Sequence, residues 1–405
     1  MIRQEQIAEI LDSQTEAFLN KDTGLTRESL INIPIASSYA TIITGIRRCG
    51  KSTLLLQLLH KQYKNALYLN FEDIRLTGFE TADLSRLHAE VSTRQTKVLF
   101  FDEIQLIEKW EIYIHQLLRE DYTVFITGSN ASLLSKELGT HLTGRNITME
   151  LFPFSYPEFV AFRGLKSDET SLIDYLKTGG IPEYVKSGLD VLLSSLINDI
   201  LFRDISVRHN IRDVESLRQL TVYLISNVGT LVSASKLTGM FGIKSSTTIL
   251  EYFSYLKDVY LIEFMPQFSY SLKTQARNPK KVYAIDTGLI TATSTTFTEN
   301  LGHKLENLVY LHLRRQYKEL YYFKDKGECD FLVFNKGAAI QAVQVCYNID
   351  DRNFDREYNG LLEAMKAFKL TEGYMITLNQ KDNFKKDGFS VKLIPAYEFL
   401  TNTAV

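Results

Sequence analysis

Between residues 40 and 130 the chain alternates short apolar runs with amphipathic stretches. The runs are ATIITG, ALYLNFED, KVLFFDE and YTVFITGSN; STLLLQLLHKQY, a polar helix-like segment, KWEIYIHQLLRE and ASLLSKEL separate or follow them. Continuous apolar runs divided by helical periodicity predict buried parallel strands with crossover helices, an α/β domain. After Leu151 the rhythm changes. FPFSYPEFV carries two prolines in an aromatic segment and predicts an extended connection. The chain then reads as mostly helical from about Ser171 to Leu256, with TGGIPEY as a breaker. Residues 231–266 predict a short helix, a turn at Gly242, a second helix capped near Ser245 or Ser246, and a strand from Val259 to Phe264, the order of a winged helix. From residue 276 onward KVYAIDTGL, a helix from His303 to Tyr317, the runs LYYF, ECDFLVF and AAIQAVQVCY, a helix through 355–368 and GYMITL predict another α/β module with a mixed sheet. Three segments result: 1–165, 166–275 and 276–405.

Composition narrows the function classes. The chain has 405 residues, 45% of them apolar, enough for several cores and too apolar for disorder. Against 48 acidic residues stand 46 basic ones, so no global positive field draws nucleic acid or an anionic membrane, and any such binding is local. Cys49, Cys329 and Cys346 lack metal-ligand spacing and are too few for a disulfide framework, which fits a reducing compartment. The start, MIRQEQIAEILDSQ, has no apolar signal core, and no run of about eighteen apolar residues occurs anywhere. A cytoplasmic protein without a membrane partner is expected.

The strongest chemical signal is GIRRCGKS, residues 45–52, which follows the strand-like TIIT and opens a helical run. It satisfies the phosphate-loop pattern G-x-x-x-x-G-K-[ST]. Gly45 and Gly50 permit backbone conformations that turn amides inward, and the helix beginning near Lys51 offers its positive end to a polyphosphate. Lys51 is expected to reach the terminal phosphates; Ser52, flanked by Thr53, offers a hydroxyl to Mg²⁺. Cys49 reads as a tolerated small residue, and Arg47 and Arg48 receive no role.

A second part of the same site lies about fifty residues on. Val98–Phe101 is an apolar strand ending in Asp102-Glu103, a Walker B pattern. It delivers two carboxylates to the strand end where ligands bind in such sheets. Asp102 is expected to hold the Mg²⁺ shell and Glu103 to orient or deprotonate the attacking water. The next strand ends in Gly128-Ser129-Asn130, so that Asn130, or Ser129 in its stead, reaches the γ-phosphate or the water; both equally suit a cap for the helix ASLLSKEL.

With GIRRCGKST, LFFDEIQ, ITGSNASLL and LTGRNITMELFPFSYPEF in this order, the chain resembles prokaryotic AAA-type ATPases that carry a C-terminal restriction-endonuclease-like domain. The resemblance implies an AAA-like P-loop core, a site for ATP and Mg²⁺, a winged helix and a nuclease-like tail. It also implies an arginine, from the same or a neighbouring subunit, that meets the γ-phosphate. Arg145 in LTGRN is the candidate, with Arg119 and Arg203 weaker ones. In the tail, Glu306, Asp330 and Gln344 fall in the order of the endonuclease-like site. An amide at Gln344 is a poor ligand for a hard cation, and Cys346 stands where the resemblance implies a lysine, so a degenerate site is expected, with Lys324 as a possible migrated lysine. Asp286 reads as a further polar anchor.

The would-be recognition helix, SSTTILEYFSYLKD, has few cations for phosphate contacts, and its Tyr252, Phe253 and Tyr255 read as packing residues. The expectation is therefore an ATP hydrolase coupling turnover to a conformational change, with a protein or nucleic-acid partner and assembly into an oligomer left open. Two alternatives stand beside it: a nucleotide switch or scaffold with little turnover, and an ATP-gated DNA-binding protein or nuclease.

Overall fold

The computed structural model describes residues 2–130, 144–293 and 300–401. The chain separates into two compact units, residues 1–152 with 258–260, and residues 153–257 with 261–405. The first unit thus ends at Phe152, earlier than residue 165. From Pro153 on the backbone bonds within the second unit, Phe154 N donating to Gly180 O at 2.7 Å.

In the first unit, α1 (Gln4–Leu19) precedes β1 (Ala40–Thr44), α2 (Lys51–Gln62), β2 (Leu67–Asn70), α3 (Asp83–Thr93), β3 (Val98–Asp102), α4 (Trp110–Arg119), β4 (Thr123–Gly128) and β5 (Asn146–Glu150). The strands form one five-stranded parallel sheet in the order β2-β3-β4-β1-β5. Successive strand side chains point to opposite faces. Leu99 and Phe101 accordingly join Ile42, Leu69, Val124 and Ile126 in a core with α3 and α4. Phe100, between them, stacks on Phe125 at 4.8 Å on the other face, where Tyr63 closes α2 against both. Register sets the site: Thr44 lies beside Gly128 and Asn70 beside Asp102, so the segments after β1, β2, β3 and β4 leave from one edge.

Two elements escape the sequence pattern. Strand β5 is polar and half-exposed, as an edge strand can be. Helix α1 covers the opposite edge: Gln14 accepts from Asn70 N at 2.6 Å and donates to Asn70 O, and Thr15 accepts from Tyr68 N at 3.1 Å and donates to Tyr68 O. These side chains satisfy β2 as a neighbouring strand would. The helix ASLLSKEL falls outside the described residues.

The second unit begins with helices between Tyr156 and His209. Next come α5 (Val214–Ser226), β6 (Leu231–Val232), α6 (Ala234–Leu237), α7 (Ser246–Asp258), β7 (Ile262–Met265) and β8 (Lys280–Ala284). The strands make a three-stranded antiparallel sheet ordered β6-β8-β7. Its central strand lies beyond residue 275, where the sequence reading places the last segment. The chain closes with α8 (Leu301–Gln316), β9 (Glu319–Lys324), β10 (Glu328–Asn335), β11 (Ala338–Val345), α9 (Phe354–Ala367), β12 (Glu372–Thr377), β13 (Asp382–Lys386) and β14 (Phe389–Pro395). These strands form a six-stranded mixed sheet, β13-β14-β12-β11-β10-β9, with β11, β12 and β14 parallel. Among the described residues no helix is long and apolar enough to cross a membrane.

Candidate functional site

The phosphate loop is shaped by residues that only its sequence allows. Gly45 has φ 144° and Gly50 φ 100°. A Cβ on Gly45 would stand 2.1 Å from the carbonyl oxygen of Leu151, the residue after β5, so the loop can lie against that backbone only with glycine here. Gly50 is the residue before α2, and Leu54 N donates to its carbonyl at 2.9 Å. The buried Lys51 donates from Nζ to Gly45 O at 3.1 Å and Ile46 O at 3.2 Å. Its ammonium is thus held on two neutral acceptors of its own loop. Ser52 is exposed at the helix start and Thr53 is half-buried.

Behind the loop stands a residue without any sequence signal, Arg27. Its guanidinium is buried and donates to Cys49 O at 2.8 Å and Phe152 O at 2.7 Å. Arg47, on the loop itself, pairs with Glu72 at 3.1 Å.

Asp102 ends β3 fully buried, with neutral donors on both oxygens: Tyr68 Oη at 2.7 Å on Oδ2, and the Thr127 hydroxyl on Oδ1. Burial, then the Asp102 charge, pushes the Tyr68 phenol far up, which keeps it a donor. Tyr68 is fixed in turn by stacking on Phe18 of α1, ring centres 3.6 Å apart. The same Thr127 oxygen accepts from Glu103 N at 3.2 Å. Glu103 has left-handed backbone, φ 54° and ψ 40°, a turn that separates its carboxylate from that of Asp102. Gln105 donates to Glu103. Burial raises the Glu103 pKa; the Lys51 ammonium opposes that rise and the Asp102 charge adds to it. Ser129 and Asn130 are buried at the end of β4. Gly45, Gly50, Lys51, Ser52, Asp102, Glu103 and Asn130 therefore meet at one edge of the sheet.

Arg145 does not join them. Its carbonyl accepts from Ala40 N, at the start of β1, and its side chain is exposed. Arg145 and Arg119 both act on His115: burial first, then these two cations, holds its pKa below its usual range. The length of β1, at about 3.3 Å per residue, separates both arginines from the phosphate loop of the same chain.

In the second unit Glu306, Asp330 and Gln344 do converge. Asp330 Oδ2 accepts from Val345 N at 2.9 Å, and Gln344 accepts from Asp330 N at 3.1 Å while donating to Glu357 at 2.6 Å. Cys346 donates from Sγ to Asn348 O. Lys324 does not take the central place; half-exposed, it pairs with Glu328 at 3.3 Å. Lys281, from the small sheet, does: its Nζ lies 2.7 Å from Asp330, 3.1 Å from Glu328 and 3.2 Å from Glu306. Asp286 is an anchor as expected, accepting from Gly180 N at 2.6 Å and Gly288 N at 2.9 Å, with burial pushing its pKa up to about 6. On α7, Tyr252 and Phe253 are buried and Tyr255 stacks on His209 at 3.7 Å, so these rings pack rather than present themselves.

An AAA domain matches residues 37–160, and two domains of unknown function follow, DUF8612 over 169–300 and DUF4143 over 301–399. The chain is 35% identical over 366 residues to the uncharacterized protein MJ1544 of Methanocaldococcus jannaschii, covering 84% of this chain and 82% of that one. It is 31% identical over 369 residues to an uncharacterized protein of Haemophilus influenzae, covering 83% and 91%. Among solved structures, the ADP form of the Aeropyrum pernix ORC2 protein is a remote likeness, with 14% identity and a TM-score of 0.33 over 63% of this chain and 86% of that one. The chain belongs to one family with the Methanocaldococcus jannaschii and Haemophilus influenzae proteins, and carries an AAA domain with a C-terminal DUF4143 domain.

Proposed function

We propose that the protein hydrolyses ATP with Mg²⁺ at the phosphate-loop edge of the five-stranded sheet, and uses turnover to change conformation. The observation that carries this reading is the pair Asp102–Glu103, consecutive residues turned apart by left-handed backbone yet tied at the single hydroxyl of Thr127. The residues fit the cargo. Lys51 rests on carbonyls, both Asp102 oxygens accept from neutral hydroxyls, and Ser52 is exposed.

MgATP, when bound, supplies the phosphoryl group and the Lewis acid. Gly45, Gly50 and Thr53 with Lys51 would hold the phosphates, and Ser52 with Asp102 would hold the metal. Glu103 would orient the water and take its proton; the rise in its pKa makes it the stronger base. Asn130 would contact the terminal phosphate. Arg145 would serve a second copy of the chain, a role supported by its exposure and its distance from the site of its own chain.

The second unit is read as a contact module for a protein or nucleic-acid partner. The order α5-β6-α6-α7-β7-β8 supports a winged helix. The order α8-β9-β10-β11-α9-β12 supports a nuclease-like fold with a degenerate centre. ATP binding and turnover by the parent protein and by Glu103→Gln test the hydrolase. Binding should be kept, and turnover should fall by about 10²-fold, the usual reach of a positioned base. Unchanged turnover would move the water-activating role to another residue.

A further inference from the structure

The tail's carboxylates raise a question of charge. Glu306 on α8 and Asp330 on β10 come together with little water, their side chains 13% and 9% exposed, and Glu328 on β10 joins them at the rim, 34% exposed. Carboxylates so buried require a counter-charge. In a nuclease-like centre that charge is a divalent cation. Here a different group meets them. Lys281 lies on the central strand of the small sheet, in register with Leu231 of β6 and Met265 of β7, so its backbone is flanked on both sides. Its side chain, 4% exposed, ends among the three carboxylates, and the three N–H donors of an ammonium match three acceptors at 2.7, 3.1 and 3.2 Å.

We propose that the Lys281 ammonium occupies the place of the divalent cation, so that the centre of the tail is a closed internal ion cluster that takes no metal and cuts no nucleic acid. The proposal rests on the reading of the tail as a nuclease-like fold.

Four further observations agree. Among the described residues no group of three or more His, Cys, Asp or Glu side chains is arranged to hold a metal ion. The residue at the place of a second strand acid, Gln344, is engaged at both ends of its amide, by Asp330 N and by Glu357. The remaining faces of Glu306 are covered: Tyr283, two residues along from Lys281 on the same strand face, donates to it at 2.8 Å. The turn before β6 packs so close that a Cβ on Gly229 would stand 2.8 Å from Glu306 Oε2. Finally, a proton reduces the excess of three acids over one positive charge. Burial first, and then the Asp330 charge, pushes the Glu306 pKa up to about 7, whereas the three carboxylates outweigh burial at Lys281 and keep it charged.

Mn²⁺ binding to the full chain without nucleotide, read from the EPR signal of free Mn²⁺, tests this. The parent protein should bind no Mn²⁺ that Asp330→Asn removes. Lys281→Met should gain one site, which Asp330→Asn abolishes again. Mn²⁺ held by the parent and lost on Asp330→Asn overturns the proposal, and so does a folded Lys281→Met protein that gains no site. If Lys281→Met does not fold, Lys281→Gln, which keeps a donor without the charge, replaces it, and the parent measurement decides alone. Plasmid cleavage separates the proposal from the reading beneath it. Metal-dependent cutting by the parent that is lost in the Lys281 variants would make Lys281 the lysine of a working nuclease and overturn the degenerate-centre reading too. Absence of cutting together with no gained site would overturn only the role of Lys281.

Discussion

Each unit holds a buried lysine, Lys51 at the start of α2 and Lys281 on β8, and each has a buried aspartate, but the lysines are held differently. Lys51 leans on the carbonyls of its own loop, and Asp102 is held by a phenol and a hydroxyl, so neither charge is neutralised by the other. Lys281 and Asp330 neutralise one another directly at 2.7 Å, with Glu306 and Glu328 completing the cluster. Charges held by neutral partners stay available to a charged ligand. Charges paired with each other are already spent on the fold.

The sharpest test of this contrast is to remove each lysine. Breaking a buried ion cluster from one side costs about 3–5 kcal/mol, and Lys281→Met should lose about that much in urea denaturation. Lys51→Met should abolish ATP binding, whereas a folded Lys281→Met should bind ATP as the parent does; ATP binding kept by the Lys51 variant or lost in the Lys281 variant would erase the distinction. Next in size is Arg27. Arg27→Met strips the donor from two buried carbonyls, at about 1–3 kcal/mol each, and should both lower stability and weaken ATP binding, because one of those carbonyls belongs to the phosphate loop. A variant that lost stability but bound ATP normally would confine Arg27 to the fold.

A smaller effect is expected from Tyr68→Phe. Partners behind a metal ligand are worth about 10- to 100-fold. With Thr127 still in place, the lower figure is expected for Mg²⁺-dependent turnover, with ATP binding in the absence of metal unchanged. The smallest effect is one of pH. The Glu306 pKa is about 7 in the fold, above an unfolded value of about 4.3. The folded protein therefore holds the extra proton, and the stability this gives is full below about pH 4 and fades as pH rises through about 7. Unfolding free energies of the parent relative to Glu306→Gln should fall between about pH 5 and pH 8. A flat difference would mean that Glu306 is ionised throughout.

Much of the first site is legible in one dimension because its parts are local. The phosphate loop is eight consecutive residues, and β3 announces Asp102 and Glu103 by an apolar run that stops abruptly. What supports those residues is not local. Tyr68 reaches Asp102 across 34 positions and Arg27 reaches Phe152 across 125, through contacts that only the sheet order creates. Lys281 had a faint signal: in KKVYA it shares a strand face with Tyr283, an odd place for a lysine unless acids wait there. Edge elements were lost for another reason. Strand β5, NITME, buries too little to show an apolar pattern, and α1 carries its Ile7, Ile10, Leu11 and Phe18 among charged neighbours.

The side chains of Gln14 and Thr15 have a consequence for any assembly of this protein. An open strand margin invites another backbone to zip onto it, and natural proteins blunt such margins. With Asn70 and Tyr68 already answered by α1, β2 offers no template for a visitor. Any copy that met this flank would find side-chain surfaces in place of an open strand, a kind of joint that can loosen and re-form where a continuous sheet could not.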